Sequence, residues 1–411
     1  MAQRGRPPKR PREVTVPDLI SMGLLAMFCP PSRIDTLLAE TDRLEQRTRL
    51  LPSRLVVYYV LAMALYASEG YRELYRLLVE GLRAVDPSLP IVVPQKSAVA
   101  KARARVGSEP LRRLFEETAI PMTSPRTKGA WYRRWRLMSM DGSTIEVPDT
   151  RENDDYFGRP GTSRGEKSAY PRLRWVALGE VGSRAIVGLE PGPYRDGERR
   201  LAHAVVGRLT PEMLCLCDRY FYGFELWEEA CQTGAALLWR LKKNLVFPVE
   251  EVLPDGSYLS RALPSNRRMR KGHPGIPVRV IEYRIEDPGR PMVEPVYRLA
   301  TTILDPDEAP AAELAAIYAE RWEVETSIRE IKIYQGRPNV VLRSKKPDGV
   351  LQELYGFLTV HYVIRWLIHQ ATVGEDIDPD RVSFTTALRT LRRKLLRPEN
   401  FFPQSPEPAG R

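Results

Sequence analysis

Cysteine and histidine are scarce in this chain of 411 residues, with four of each. Cys29, Cys215, Cys217 and Cys231 show no paired Cys-x-x-Cys spacing, and His203, His273, His361 and His369 are scattered, so neither a zinc site nor a disulfide framework is supported. Cys215 and Cys217 sit in an apolar run, where buried thiols are the common outcome. Long apolar runs are missing as well. The longest, Leu55 to Ala67, is shorter than the ~20 residues that a bilayer crossing needs and is bounded by Arg54 and Glu69, which makes it a buried helix and leaves no membrane partner to expect. No apolar segment directly follows Arg4, Arg6, Lys9, Arg10 and Arg12, which argues against a secretory signal and for a cytoplasmic location.

Acidic residues are outnumbered, 52 against 63 Lys plus Arg, leaving a net charge of +11 and a pI near 9.5. That surplus favours a polyanionic partner without saying which. The length suggests two or three domains at about 150 residues each, and a hydrophobic content of 43% is enough to bury them. Residues 1–14 are too rich in Arg, Lys and Pro to bury a core and read as a disordered basic arm. Within it, Arg4-Gly5-Arg6-Pro7 looks like the core of an AT-hook, in which two arginines enter a narrow minor groove; a generic phosphate-binding arm is the plainer reading.

From Val16 to Val85 the period is helical, with Leu19, Met22, Leu25 and Ala26 on one stripe and Leu74, Leu77, Leu78 and Leu82 on another. After a Pro-rich linker, a helix over Ser97 to Val106 carries Lys101, Arg103 and Arg105. It reads either as the recognition element of a helix-turn-helix-like module or as a solvated basic face. At Trp135 the pattern turns extended. Trp135 to Met140 reads as a strand that stops at the turn-forming pair Asp141-Gly142. A hairpin around Val181-Gly182-Ser183, a helix over Arg199 to Leu209, a buried strand Met213 to Cys217 with Asp218 at its end, a helix over Phe224 to Cys231 and a strand Ala236 to Leu241 follow. Together they predict a mixed sheet with helices on its faces. Between Asn244 and Thr302 period-two segments (Val246 to Val252, Val278 to Ile285, Val296 to Thr302) predict a mostly β insertion, and three helices follow it.

Three carboxylates stand in special places: Asp141 and Asp218 at strand ends, and Glu325 on the helix after the insertion. Ligand sites in open α/β sheets form outside the carboxyl ends of strands, so the two aspartates meet there if their strands are neighbours. Around Glu325, Tyr318, Arg321, Arg329 and Lys332 lie at helical offsets of minus seven, minus four, plus four and plus seven, on one face. A carboxylate flanked by fixed cations suits a group that holds a metal ion while its neighbours hold phosphate oxygens; a solvated helix laced with ion pairs is the bland alternative. Asp149 and Glu152-Asn153-Asp154-Asp155, expected in a loop, are a remote substitute for Asp141.

The unbroken spacing from Tyr318 through Arg321 and Glu325 to Lys332, with Asp141-Gly142-Ser143 and Asp218-Arg219-Tyr220-Phe221-Tyr222-Gly223 upstream, resembles the signature of DDE transposases of the insertion-sequence-4 family. Leu51 to Val57, Ala102 to Gly107 and Leu351 to Gly356 are similar to other stretches of that family, so the likeness spans about residues 15 to 395. It implies an α/β fold: a ribonuclease-H-like mixed sheet with flanking helices, interrupted by a β-rich insertion, plus an all-helical N-terminal domain and C-terminal helices. The implied division is a helical DNA-binding domain over 15–125, the first part of the core over 126–244, the insertion over 245–305, the catalytic helix over 306–345, and C-terminal helices and tail over 346–411. It further implies Asp141, Asp218 and Glu325 as catalytic metal ligands for two Mg²⁺ or Mn²⁺ ions. Arg321, Arg329 and Lys332 would hold phosphates, Tyr318 would hydrogen-bond one, and Arg240 would approach DNA. The partner is double-stranded DNA, bound by a homodimer. One departure is the lack of any Trp between Asn244 and Thr302, where some members stack a flipped base; Tyr258, Tyr283 and Tyr297 are the aromatic faces on offer. A catalytically silent DNA-binding descendant is the alternative implied by the basic arm and the helical N-terminal region.

Overall fold

In the computed structural model, residues 28–45, 51–83, 93–161, 168–284, 296–336 and 342–395 are described. Proline opens the first helices, α1 (Pro31–Glu40) and α2 (Ser53–Leu65, with Pro52 as its cap), where a missing N–H costs nothing. Twelve of the thirteen α2 residues are buried, so this helix is the centre of the N-terminal region and not a layer on its surface. Against it pack α1, α3 (Tyr71–Arg83) and α4 (Lys96–Val106), and α5 (Glu109–Thr118) packs on α1. The stripe at Leu19 to Ala26 and the basic arm with Arg4 and Arg6 lie outside the described residues.

One mixed sheet carries the rest. A two-residue strand β1 (Trp131–Tyr132) leads into β2 (Trp135–Glu146), followed by helix α6 (Arg151–Phe157), the hairpin β3 (Arg172–Glu180) and β4 (Ala185–Pro193), helix α7 (Glu198–Val206), β5 (Met213–Cys217), α8 (Phe224–Gln232) and β6 (Ala236–Arg240). All five β5 residues are buried, as expected of a central parallel strand covered on both faces. The order β4-β3-β2-β5-β6, antiparallel between β4, β3 and β2 and parallel from β2 through β5 to β6, is the ribonuclease-H arrangement.

The insertion contributes β7 (Glu251–Val252), β8 (Tyr258–Ala262), the short α9 (Arg267–Arg270), β9 (Ile276–Tyr283) and β10 (Tyr297–Thr301). It does not form a body of its own. Because β10 pairs with β6, with Leu299 opposite Arg240, the four insertion strands extend the core sheet to ten strands. Then come α10 (Ala311–Ile317), a 3₁₀ turn over Tyr318–Arg321, α11 (Trp322–Arg329), a π-helical segment over Glu330–Gln335, the 26-residue α12 (Pro347–Thr372) and α13 (Phe384–Leu395). Helix α12 binds the two halves together, packing on α2 and α5 as well as on β4. At Gly356 a Cβ would stand 2.8 Å from Val60, a crossing so close that only glycine fits. Among the described residues no helix is long and apolar enough to cross a membrane.

The sequence expectations need three corrections here. Strand β2 does not stop at Asp141-Gly142 but runs on to Glu146, because nine consecutive residues pair with the long β3 and the ladder outweighs the turn preference of Asp-Gly. The strand expected at Val246 to Val252 shrinks to Glu251–Val252, while Tyr258–Ala262, unforeseen, pairs on both edges. Residues 151–157, expected as loop, form α6, capped by Thr150, whose hydroxyl accepts from the Asn153 N–H.

Candidate active site

Register alone brings the two aspartates together. In the parallel pair β2–β5, Met140 is level with Cys217. Asp141 and Asp218 are the next residues on each chain, so they stand side by side where the parallel ladder ends, about 4.8 Å apart from backbone to backbone. Asp218 is fixed further by the turn it starts, its Oδ1 accepting the Tyr220 N–H at 3.0 Å.

Glu325 arrives from above. The 3₁₀ turn is fastened to both strands: the Tyr318 hydroxyl donates to the Cys217 carbonyl at 3.3 Å, and the buried Ser139 hydroxyl donates to the Arg321 carbonyl at 3.1 Å. Val324 then packs against Gly179, where a Cβ would stand 3.1 Å away, so α11 lies close upon the sheet. One turn on from Arg321, the half-exposed Glu325 accepts from the Arg321 guanidinium at 2.9 Å, and Arg321 in turn lies 4.4 Å over the ring of exposed Trp322. The π segment reaches the first aspartate motif from the far side, where the Lys332 ammonium donates to the Ser143 hydroxyl at 3.2 Å.

A fourth acid went unseen in the sequence. Glu198, in the first turn of α7, lies over Gly142, and a Cβ there would fall 2.5 Å from its carboxyl carbon. The site therefore gathers negative charge faster than it neutralises it. Asp141 is pushed up to about 7, by burial first and then by Glu325 and Glu198, against the Gly142 N–H and Arg321. Glu198 is raised too, by burial and by Asp218. The burden on Asp141 gives a pH test. A raised carboxyl pKa means that the folded protein keeps a proton the unfolded chain releases, so this contribution to stability is complete below about pH 4 and is lost as pH rises through 7. With chelator present, Asp141→Asn is expected to raise Tm by roughly 2–6 °C at pH 8, a gain that shrinks towards pH 4; a lower Tm at pH 8 would contradict this account of the site.

The donor set is all carboxylate oxygen, which suits a hard divalent cation. Among the described residues no three acid, histidine or cysteine side chains are close enough to hold one ion by themselves. Magnesium rarely asks for that, since one or two carboxylates with waters and substrate phosphates fill its shell.

A family model described as "Transposase DDE domain" matches residues 136–362, and one described as "Insertion element 4 transposase N-terminal" matches residues 19–116. The chain is 30% identical over 378 residues to the transposase InsG of insertion element 4 from Escherichia coli K12, covering 90% of this chain and 82% of that one. It belongs to the insertion-sequence-4 family of DDE transposases. The putative transposase InsZ of the same organism is 31% identical over 235 residues, 56% of this chain and 76% of that one. A piggyBac transposase, solved as a synaptic complex with hairpin DNA, aligns with a TM-score of 0.47 at 13% identity, over 94% of this chain and 81% of that one.

The other residues singled out in the transposase sequence divide by place. Arg240, half-buried, lies 4.4 Å over the Tyr297 ring beside the Tyr283–Tyr297 stack and acts electrostatically on Tyr318, so it shares the site. Arg329 is exposed and Lys332 partly so. Tyr318 is not a phosphate contact as placed: it is buried with its hydroxyl spent on Cys217, and burial raises its pKa further. Of the three α4 cations singled out, which lie away from the carboxylates, Lys101 alone is exposed. Arg103 is a correction, because it is buried and donates to Gln352, Ser344, the Gly349 carbonyl and Glu353, tying α4 to α12; Arg105 donates to the Leu51 carbonyl. Asp149 and Asp154 are tied to Arg159, away from the three acids. Arg4 and Arg6 lie outside the described residues.

Proposed function

We propose that this transposase binds the terminal inverted repeats of its element, cleaves DNA there and joins the freed 3′ ends to target DNA. What supports the reading most is the parallel register that ends with Asp141 next to Asp218, in a chain whose family model spans these two residues and Glu325. Mg²⁺ or Mn²⁺, two ions held among Asp141, Asp218 and Glu325, would supply activation of the attacking oxygen and neutralisation of the leaving one. The chain itself does the rest. Arg321 holds the Glu325 carboxylate, Arg329 and Lys332 offer cations to the phosphates on either side, and the crowding of acids keeps Asp141 ready to exchange a proton for a cation. Water attacks the phosphorus and the bond to the 3′ oxygen breaks; the freed 3′-hydroxyl, giving up its proton, then attacks a phosphodiester of the target, whose own 3′ oxygen leaves as a hydroxyl. Two ends must be joined together, so a homodimer on DNA is the working unit, acting at the nucleoid in the cytoplasm.

The test is incubation of the purified protein with a plasmid carrying both flanking repeats. Mg²⁺ should give ends bearing 3′-hydroxyls and joined products, and EDTA should abolish both while leaving anisotropy-measured DNA binding within about twofold. Cleavage without joining would make the protein a nuclease, and binding with no cleavage even in Mn²⁺ would make it a silent descendant.

A further inference from the structure

Past Asp218 the chain turns into α8, and there a cavity of about 410 Å³ opens between that turn, the end of β6 and the loop from β8 to β9. Four cations line it and no carboxylate does: Arg199 of α7, Lys242 after β6, Arg261 of β8 and Arg270 of α9. Arg261 is paired with Glu250. Among the described residues, neither Arg199 nor Arg270 has an ion-pair partner. Gly223 caps α8 without any side-chain hydrogen bond, and a Cβ there would stand 2.7 Å from the Arg199 guanidinium. A guanidinium thus lies against a helix N-terminus, and Glu225 in the first turn of that helix is not among the residues lining the cavity. That arrangement is unfavourable when empty and favourable around an anion.

A short relay of contacts leads from Asp218 to the cavity wall. Asp218 holds the Tyr220 N–H, the Tyr220 ring is half-exposed, and the Lys242 ammonium lies 5.5 Å over that ring before reaching the cavity wall. A small free anion has no use for such a track, whereas a strand with regularly spaced phosphates does. We propose that the cavity seats a backbone phosphate of the DNA strand that passes Asp218 and continues over the insertion. The assignment rests on the DNA-cleaving reading above and adds to it a second anchor, shared between core and insertion.

The experiment titrates the full chain with a fluorescein-labelled duplex taken from the inverted repeat beside the coding region, over a series of salt concentrations. Arg199→Ala and Arg270→Ala, both at exposed positions, should each weaken binding roughly 5- to 20-fold and flatten the slope of log K against log salt by about 0.9. Arg270→Glu should weaken it more, and unchanged melting curves would separate these losses from misfolding. A parallel arm follows Tm in sodium sulfate. If wild type binds the duplex and the variants match it in slope and affinity, the cavity holds no DNA phosphate, and sulfate stabilisation lost only in the variants would then assign it to a small free anion. If wild type does not bind the duplex at all, the functional reading fails and this one with it.

Discussion

Replacing Glu325 by glutamine is expected to slow Mg²⁺-dependent end cleavage by at least about 10³-fold, equivalent to roughly 4 kcal/mol of barrier, with DNA affinity within about twofold of wild type. The reasoning is local. Glutamine keeps an oxygen to accept from Arg321, so the guanidinium stays seated over the Trp322 ring, but the charge that would share a cation with the aspartates is gone. The same change relieves Asp141 of one of the like charges that raise it, so the metal-free variant should melt no lower than wild type. A variant that cleaves at the wild-type rate would remove Glu325 from the chemistry. One that loses both binding and stability would show that the residue serves the fold.

The second large effect concerns stability. Glu330, the first residue of the π segment, is buried against α12, where it accepts from His361 at 3.0 Å and, one carboxylate oxygen each, from Nε and Nη2 of the fully buried Arg365. Burial alone would raise the Glu330 pKa; the His361 hydrogen bond and the Arg365 charge overcome it and hold the carboxylate below its ordinary value. Arg365→Met leaves that carboxylate buried with one neutral partner and is expected to destabilise the protein by about 3–5 kcal/mol in urea unfolding. The double variant with Glu330→Gln should recover a large part, since the cost lies in the orphaned charge and not in the missing attraction. If the single variant loses less than about 1 kcal/mol, the pair is not the lock between catalytic helix and α12 that its burial implies. Cleavage should fall along with stability, because the π segment carries Lys332 to Ser143.

Which parts of this were legible beforehand follows from where the information lies. Asp141 and Asp218 each follow a run of buried, mostly apolar residues, a local pattern that needs no partner to be seen. Glu325 is marked by cations at helical spacing, but the backbone there is not one regular helix: two hydrogen bonds from the sheet hold the first part as 3₁₀, and the Glu330 cluster accompanies the π segment at the end. No spacing rule carries that. Arg103 and Lys101 look alike in sequence, and what separates them is Glu353, 250 positions away. Glu198 is one acid among 52; its only trace is a glycine at 142, which leaves room for it. The run on through Asp141-Gly142 was hidden for a similar reason, since β3 supplies the pairing from outside the segment.

The continuous ten-stranded sheet has a geometric consequence. Five steps separate β5, which ends at Asp218, from the outer edge at β7, and at about 4.8 Å per step they make a span of roughly 24 Å, close to seven base steps of B-form DNA. Among the described residues those steps are hydrogen-bonded from strand to strand, so under the proposed function the insertion would work as a fixed gauge, and strand count would set the length of duplex it meets beyond the cut.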